Sequence, residues 1–365
     1  MRRREFLRGA AMAAAAASAT SVLSAAAPGR ETEPVASKPL GKIALEEHFL
    51  TPDFMDYFAE TYQNINPKLI KMAPEALMDF GERRLAVMDE HHVEIAVLGL
   101  AGPGVQKEKD PAVAQRKAKE VNDFLAGEIQ KRPGRYGGLA HLAMQKPAEA
   151  AAELERCVRQ LGFQGAMING QTNGEYLDLD KYSVFWERAA ALEAPIYLHP
   201  GNPVDHPAVY AGHDELWGAV CSWTFETAAH ALRLVFAGVF ERYPKAKLIL
   251  GHGGETLPFS VWRFDSRWPV CNTGGREMAQ PPSFYIRRNI AVTTSGMCSE
   301  ASLRCMLEAM GDENVMFSID YPFEKTELAA QFIESAKVTE AQRMQVASAN
   351  ARRILHLERR VQAAA

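Results

Sequence analysis

Eight short apolar runs, rich in Val, Ile and Leu and separated by segments of helical length, constrain this chain more than any other feature. They cover Lys42 to Phe49, His92 to Leu98, Arg135 to His141, Gln164 to Asn169, Ala194 to His199, Lys247 to His252, Asn289 to Thr294 and Asn314 to Asp320. Runs of this length and composition read as strands buried on both faces, the form they take in a parallel sheet. Between them, Ala112 to Lys131, Pro147 to Leu161 and Tyr182 to Glu193 carry helical periodicity. Eight strand-helix units predict an α/β fold, a (β/α)8 TIM barrel, in preference to an open doubly wound sheet. No glycine-rich dinucleotide loop follows any of the strands.

Two connections exceed ordinary loop length. Thr51 to Gly81 follows the first strand, and Pro200 to Tyr243 follows the fifth, with a helix expected near Trp223 to Phe240. Insertions after barrel strands cover the active face or build subunit contacts.

Ahead of the barrel, Arg2-Arg3-Arg4-Glu5-Phe6-Leu7-Arg8 leads into an alanine-rich run ending near Ser24-Ala25-Ala26-Ala27. A basic start, a short apolar segment and small residues at its end read as an export signal. The Arg3-Arg4 pair makes it a twin-arginine signal over residues 1–27, which predicts contact with the twin-arginine export machinery and a periplasmic or secreted protein. Residues 28–40 read as a flexible leader, 41–357 as the barrel domain and 358–365 as a C-terminal tail. No later apolar run is long and charge-free enough to span a bilayer.

The formal charge of −4 becomes more negative once the basic leader is removed, and no basic stripe remains. That argues against nucleic-acid partners. The five cysteines, Cys157, Cys221, Cys271, Cys298 and Cys305, show no CxxC spacing and read as buried free thiols, although an exported protein's compartment would permit one bridge.

Barrel chemistry gathers where strands end at their carboxyl edge. Glu46 and His48, two residues apart on an extended segment, leave the same face. His199 ends the fifth run, His252 the sixth and Asp320 the eighth. Capping accounts for one such residue on one strand, but not for five at four strand ends. A shell of Glu46, His48, His199 and Asp320 suits one divalent ion, zinc or manganese. The fourth run ends in Ile168-Asn169, with no lysine that could be carbamylated to bridge two ions. His252 reads as an acid-base or substrate-polarising group, with a ligand role as the alternative. Glu255, beyond Gly253-Gly254, reads as its orienter. Glu226 and His230 are expected to form a structural i, i+4 pair, and His141 to serve packing. Arg263 and Arg267 could face a carboxylate or solvent.

The segments Ala44 to Phe49, Pro195 to Pro200, Glu226 to Leu234, Leu248 to Phe259 and Ser318 to Glu324 resemble the amidohydrolase-related aromatic-acid decarboxylases. The likeness is nearest to the γ-resorcylate and 2,3-dihydroxybenzoate decarboxylases, close to aminocarboxymuconate semialdehyde decarboxylase. It runs from about Gly41 to Leu357 and implies that Glu46, His48, His199 and Asp320 hold the metal, with His252 and Glu255 beside the substrate. It also implies oxygen-independent loss of carbon dioxide from a hydroxybenzoate-like or unsaturated carboxylic acid, with Asp320 as proton donor, in a homo-dimer or homo-tetramer. A hydrolase or lactonase using metal-activated water is the alternative on the same scaffold. Tyr321 stands where that family commonly has tryptophan and Thr256 where it usually has glycine; its typical members carry no export signal.

Overall fold

The computed structural model describes residues 39–62, 67–272 and 277–357; the signal, most of the leader and the tail fall outside them. The eight expected strands are all present: β1 (Lys42–Phe49), β2 (Val93–Leu100), β3 (Tyr136–His141), β4 (Gly165–Asn169), β5 (Ile196–His199), β6 (Leu248–Leu250), β7 (Ile290–Thr293) and β8 (Val315–Met316). Neighbours pair in parallel in sequence order. A parallel bridge from Leu45 to Ser318 joins the eighth strand back to the first, closing a (β/α)8 barrel.

The period of two along each strand divides the apolar residues between two cores. Inward go Ile43, Leu45, Val97, Leu139, Met167, Tyr197, Ile249, Ala291 and Met316, which fill the barrel. Ala351, Ile354, Leu355 and Leu357, from the end of the chain, belong to this same cluster. Outward go Leu98, Ile168, Leu198, Leu248, Leu250 and Val292, against the surrounding helices. Both faces are therefore dry, which is why the runs are nearly continuous in apolar residues.

The helices begin where the sequence signals them. Asp110 accepts from the Ala112 backbone at 2.8 Å, and Pro111 occupies the first helical position of Pro111–Lys131. Both insertions are present. The first carries helices Met55–Tyr62 and Pro67–Leu77; the second carries Ser222–Phe236 and, beyond Gly238 at φ 69°, Val239–Arg242. The helix expected to run to Phe240 is thus two helices, because Gly238 takes a left-handed turn that helical backbone cannot continue through.

Two strands stop well short of their expected carboxyl ends. β6 stops at Leu250 and β8 at Met316, so His252 and Asp320 stand on the loops beyond them. Their backbones are left-handed, at φ 45° and 80°, so neither residue continues an extended strand. The five cysteines are free thiols, but only Cys157 is buried, so the expectation of buried thiols holds for one of them.

Candidate metal centre and active site

Glu46, His48 and His199 converge at the carboxyl end of the barrel, with one ligand atom from each within 4.8 Å of the others. β1 slips in register between Ala44 and Glu47, and Glu46 takes φ 62°. A bulge of this kind re-aims a side chain, and here it brings Glu46 into the barrel mouth beside His48. Gly251 makes room for it, since a Cβ at that position would lie 2.5 Å from Glu46 Oε2.

Each candidate ligand is held from behind. Tyr197, one step inward from His199 on the same face of β5, donates its hydroxyl to Glu46 Oε2 at 2.5 Å and lies 3.2 Å from Thr293 Oγ1. His199 Nδ1 is 2.9 Å from the Pro200 carbonyl, which puts its proton on Nδ1 and leaves Nε2 free to coordinate. The carbonyl of His48 accepts from the buried Arg84 Nη2 at 2.7 Å, and Arg84 lies against the Tyr321 ring, 4.8 Å from its centroid. Glu47 reaches from β1 to accept the Ile319 N–H at 3.1 Å, tying the segment before Asp320 to the first strand.

Asp320 stands at the edge of this set. Its Oδ1 lies 3.1 Å from His48 Nε2 and its Oδ2 3.4 Å from His252 Nε2. Glu46 Oε1, His48 Nε2 and Asp320 Oδ1 are nevertheless buried without a hydrogen-bond partner. Unpaired buried donors and acceptors are costly, and a carboxylate-imidazole set with free lone pairs facing one another fits a divalent cation. The four residues expected to share an ion are thus adjacent, with Glu46, His48 and His199 the tightest three.

His252 opens a turn in which His252, Gly253, Gly254, Glu255 and Thr256 all take positive φ, from 45° to 77°. The turn brings Glu255 Oε1 to 2.8 Å from His252 Nδ1, as an orienter requires. Burial opposes a charge on His252, but Glu46, Glu255 and Asp320 outweigh it and hold its pKa well above the ordinary value. Asp320 is likewise buried, yet His252 and His48 hold its carboxyl well below the usual range. Burial, reinforced by His48, pushes His199 far down and keeps it neutral, the form a metal ligand needs.

The remaining expectations separate cleanly. Glu226 and His230 are not bonded to each other. Glu226 accepts from the Tyr176 hydroxyl, and His230 Nε2 accepts the Leu177 N–H at 2.9 Å, because their helix packs on that loop. His141 serves packing, accepting the Val105 N–H at 2.9 Å. Arg263 and Arg267 lie on helix Leu257–Cys271 and do not line the site cavity. The cavity walls Tyr62, Trp223 and Phe323 were not singled out from sequence, nor was Tyr197. Tyr197 was findable, since it lies two residues before His199 on a strand.

Residues 73–357 match the family model described as amidohydrolase. The chain belongs to the amidohydrolase family. Among its relatives, the γ-resorcylate decarboxylase of Polaromonas sp. is 41% identical over 328 residues, covering 87% of this chain and 99% of the relative. That of Rhodococcus jostii is 38% identical over 338 residues, with the same coverage of both chains. A crystal structure of the Polaromonas dihydroxybenzoic acid decarboxylase, with bound manganese and the inhibitor 2-nitroresorcinol, aligns with a TM-score of 0.82 at 39% identity over 87% of this chain and 97% of that one. The 5-carboxyvanillate decarboxylase of Sphingomonas paucimobilis aligns at 0.81 and 35% identity, over 87% of this amidohydrolase and 99% of that chain.

Proposed function

We propose that this amidohydrolase is a metal-dependent carboxy-lyase that removes carbon dioxide, without oxygen, from an ortho-hydroxylated aromatic acid. The observation that carries this is the meeting of a cation-seeking set, Glu46, His48, His199 and Asp320, with the His252–Glu255 pair on one cavity wall. The decarboxylase relatives on hydroxybenzoates support the same reading.

Glu46, His48 and His199, joined by Asp320, would hold one divalent ion, and manganese is the ion carried by a similar solved structure. Bound there, such an ion supplies Lewis-acid stabilisation of negative charge on the substrate's oxygens. The chain's own residues handle the proton. His252, kept charged and oriented by Glu255, first passes its proton from Nε2 to Asp320 Oδ2, 3.4 Å away. Asp320 then delivers that proton to the ring carbon bearing the carboxylate; the carbon-carbon bond breaks, carbon dioxide leaves, the bonding pair restores the aromatic ring, and His252, on the cavity wall, takes a new proton from solvent.

Incubation of manganese-loaded protein with 2,6-dihydroxybenzoate in the absence of oxygen tests the reaction. Stoichiometric carbon dioxide and resorcinol are expected. Ring opening of lactones without carbon dioxide release would replace this reading with the hydrolase alternative.

Two further parts of the proposal concern the whole protein. Export by the twin-arginine pathway to the periplasm or beyond is supported by Arg3-Arg4-Glu5-Phe6-Leu7. Assembly into dimers or tetramers is supported by the exposed apolar Trp262 and Val270 on helix Leu257–Cys271.

A further inference from the structure

The site opens into a cavity of about 690 Å³ with two chemically different ends. At the metal end stand His199, His252, Glu255, Asp320 and Glu324. Away from it, the wall is built by Val220, Phe259, Met297, Ser302, Cys305 and Met306, with Val220 and Phe259 largely exposed at its open rim. This limb is continuous with the catalytic end, because Gly253, next to His252, lies against Met297 and Met306: a Cβ there would be 3.5 Å from Met297 Cγ and 3.7 Å from Met306 Sδ. No lysine or arginine lines the cavity among the described residues.

Size and charge together restrict what the cavity takes. Allowing each of about eleven heavy atoms of a dihydroxybenzoate the roughly 30 Å³ share of a liquid water molecule, such a substrate fills about half of the space. The rest is lined chiefly by apolar side chains, with Thr224 and Ser302 among them, and offers no cation to balance a second carboxylate, while Glu324 would repel one. On the decarboxylase reading above, we infer that the substrate is a hydroxylated aromatic monocarboxylate bearing an apolar substituent on the side of the ring away from its carboxylate. That substituent occupies the limb lined by Val220, Phe259, Met297, Cys305 and Met306.

Two measurements on the manganese-loaded full-length enzyme test this. The first compares kcat/KM for 2,6-dihydroxybenzoate with that for its 4-methyl, 4-propyl and 4-pentyl derivatives. The inference expects KM to fall about threefold or more per added methylene, the gain from burying it. Ser302 lines the cavity on the same helix as Cys305 and Met306, so in Ser302→Phe, which narrows the limb, the ratio of alkylated to unsubstituted kcat/KM should collapse towards one. Equal or lower kcat/KM for the alkylated acids overturns the inference.

The second measurement does not depend on turnover. Cys305 is a partly exposed free thiol on the limb wall, so its alkylation can be followed by peptide mass mapping. 5-Pentylresorcinol should slow its labelling at least tenfold, and resorcinol should not. Equal labelling with both compounds overturns the inference. So does protection without any ligand, which would mean that a second copy of the chain fills the limb. If no acid is decarboxylated yet Cys305 is protected by the alkylated ligand alone, the limb stands and the reaction is what fails.

Discussion

Glu255 Oε1 lies 2.8 Å from His252 Nδ1 because five consecutive residues, His252 to Thr256, wind in the left-handed sense. Gly253 and Gly254 take that conformation without cost; His252, Glu255 and Thr256 do not. The chain therefore accepts backbone strain at the point where a charged imidazole must face the cavity.

Glu255→Gln keeps the size of the side chain but removes the charge that supports a protonated His252. We expect kcat to fall by about 10²-fold or more, with manganese content unchanged, as for a lost general acid-base function. Steady-state kinetics with metal analysis of the same sample checks this. Loss of metal in step with activity would assign Glu255 to the metal centre instead.

Thr256 occupies the last of these left-handed positions at φ 67°, where a β-branched residue is unfavourable. Thr256→Gly should raise stability by about 1 kcal/mol, the lower end of what such strain costs. Equilibrium denaturation would show a higher midpoint at unchanged slope. A lower midpoint would mean that the threonine side chain holds the turn.

Tyr197→Phe removes the hydroxyl that fixes Glu46 Oε2 and leaves the barrel packing intact. Partners behind a ligand typically account for about 10–100-fold in metal affinity. Manganese titration of the variant is expected to show a loss in that range. Wild-type affinity would show that burial alone positions Glu46.

Two histidines outside the metal centre and its cavity lining set the acid side of the stability profile. Burial pushes both His141 and His230 down to about 3, and each accepts a backbone N–H through Nε2, which requires the neutral ring. Their pKa values are depressed on folding, so below an unfolded value of about 6.5 the unfolded chain binds the protons first. The stability they contribute is full above that pH and lost as pH falls towards 3. Each should contribute a slope of about 1.4 kcal/mol per pH unit across this window. Denaturation of His230→Gln at several pH values should show a shallower loss than wild type; an identical slope would contradict the assignment.

The barrel was legible because a parallel sheet buried on both faces leaves nearly unbroken apolar runs, from Ile43 to Ile319. The candidate metal residues were legible because such strands leave few reasons for Glu46, His48 or His199 to be polar. Strand ends were not, since left-handed backbone at His252 and Asp320 takes both residues out of the extended runs that end at Leu250 and Met316. Bonds between distant segments, Arg84 to the His48 carbonyl and Glu47 to Ile319, leave no local periodicity to read. The helical spacing of Glu226 and His230 misled for the same reason: tertiary contacts with Tyr176 and Leu177 took both side chains.

Everything in the chemistry requires that Glu46, His48 and His199, drawn from two strands, serve one ion with Asp320 beside it. Elemental analysis of the purified wild type and of His199→Ala, both folded by circular dichroism, tests this most directly. One equivalent of divalent metal per wild-type chain, falling below about a tenth in the variant, is the expected result. Undiminished metal in His199→Ala, or none in the wild type after manganese loading, would contradict it.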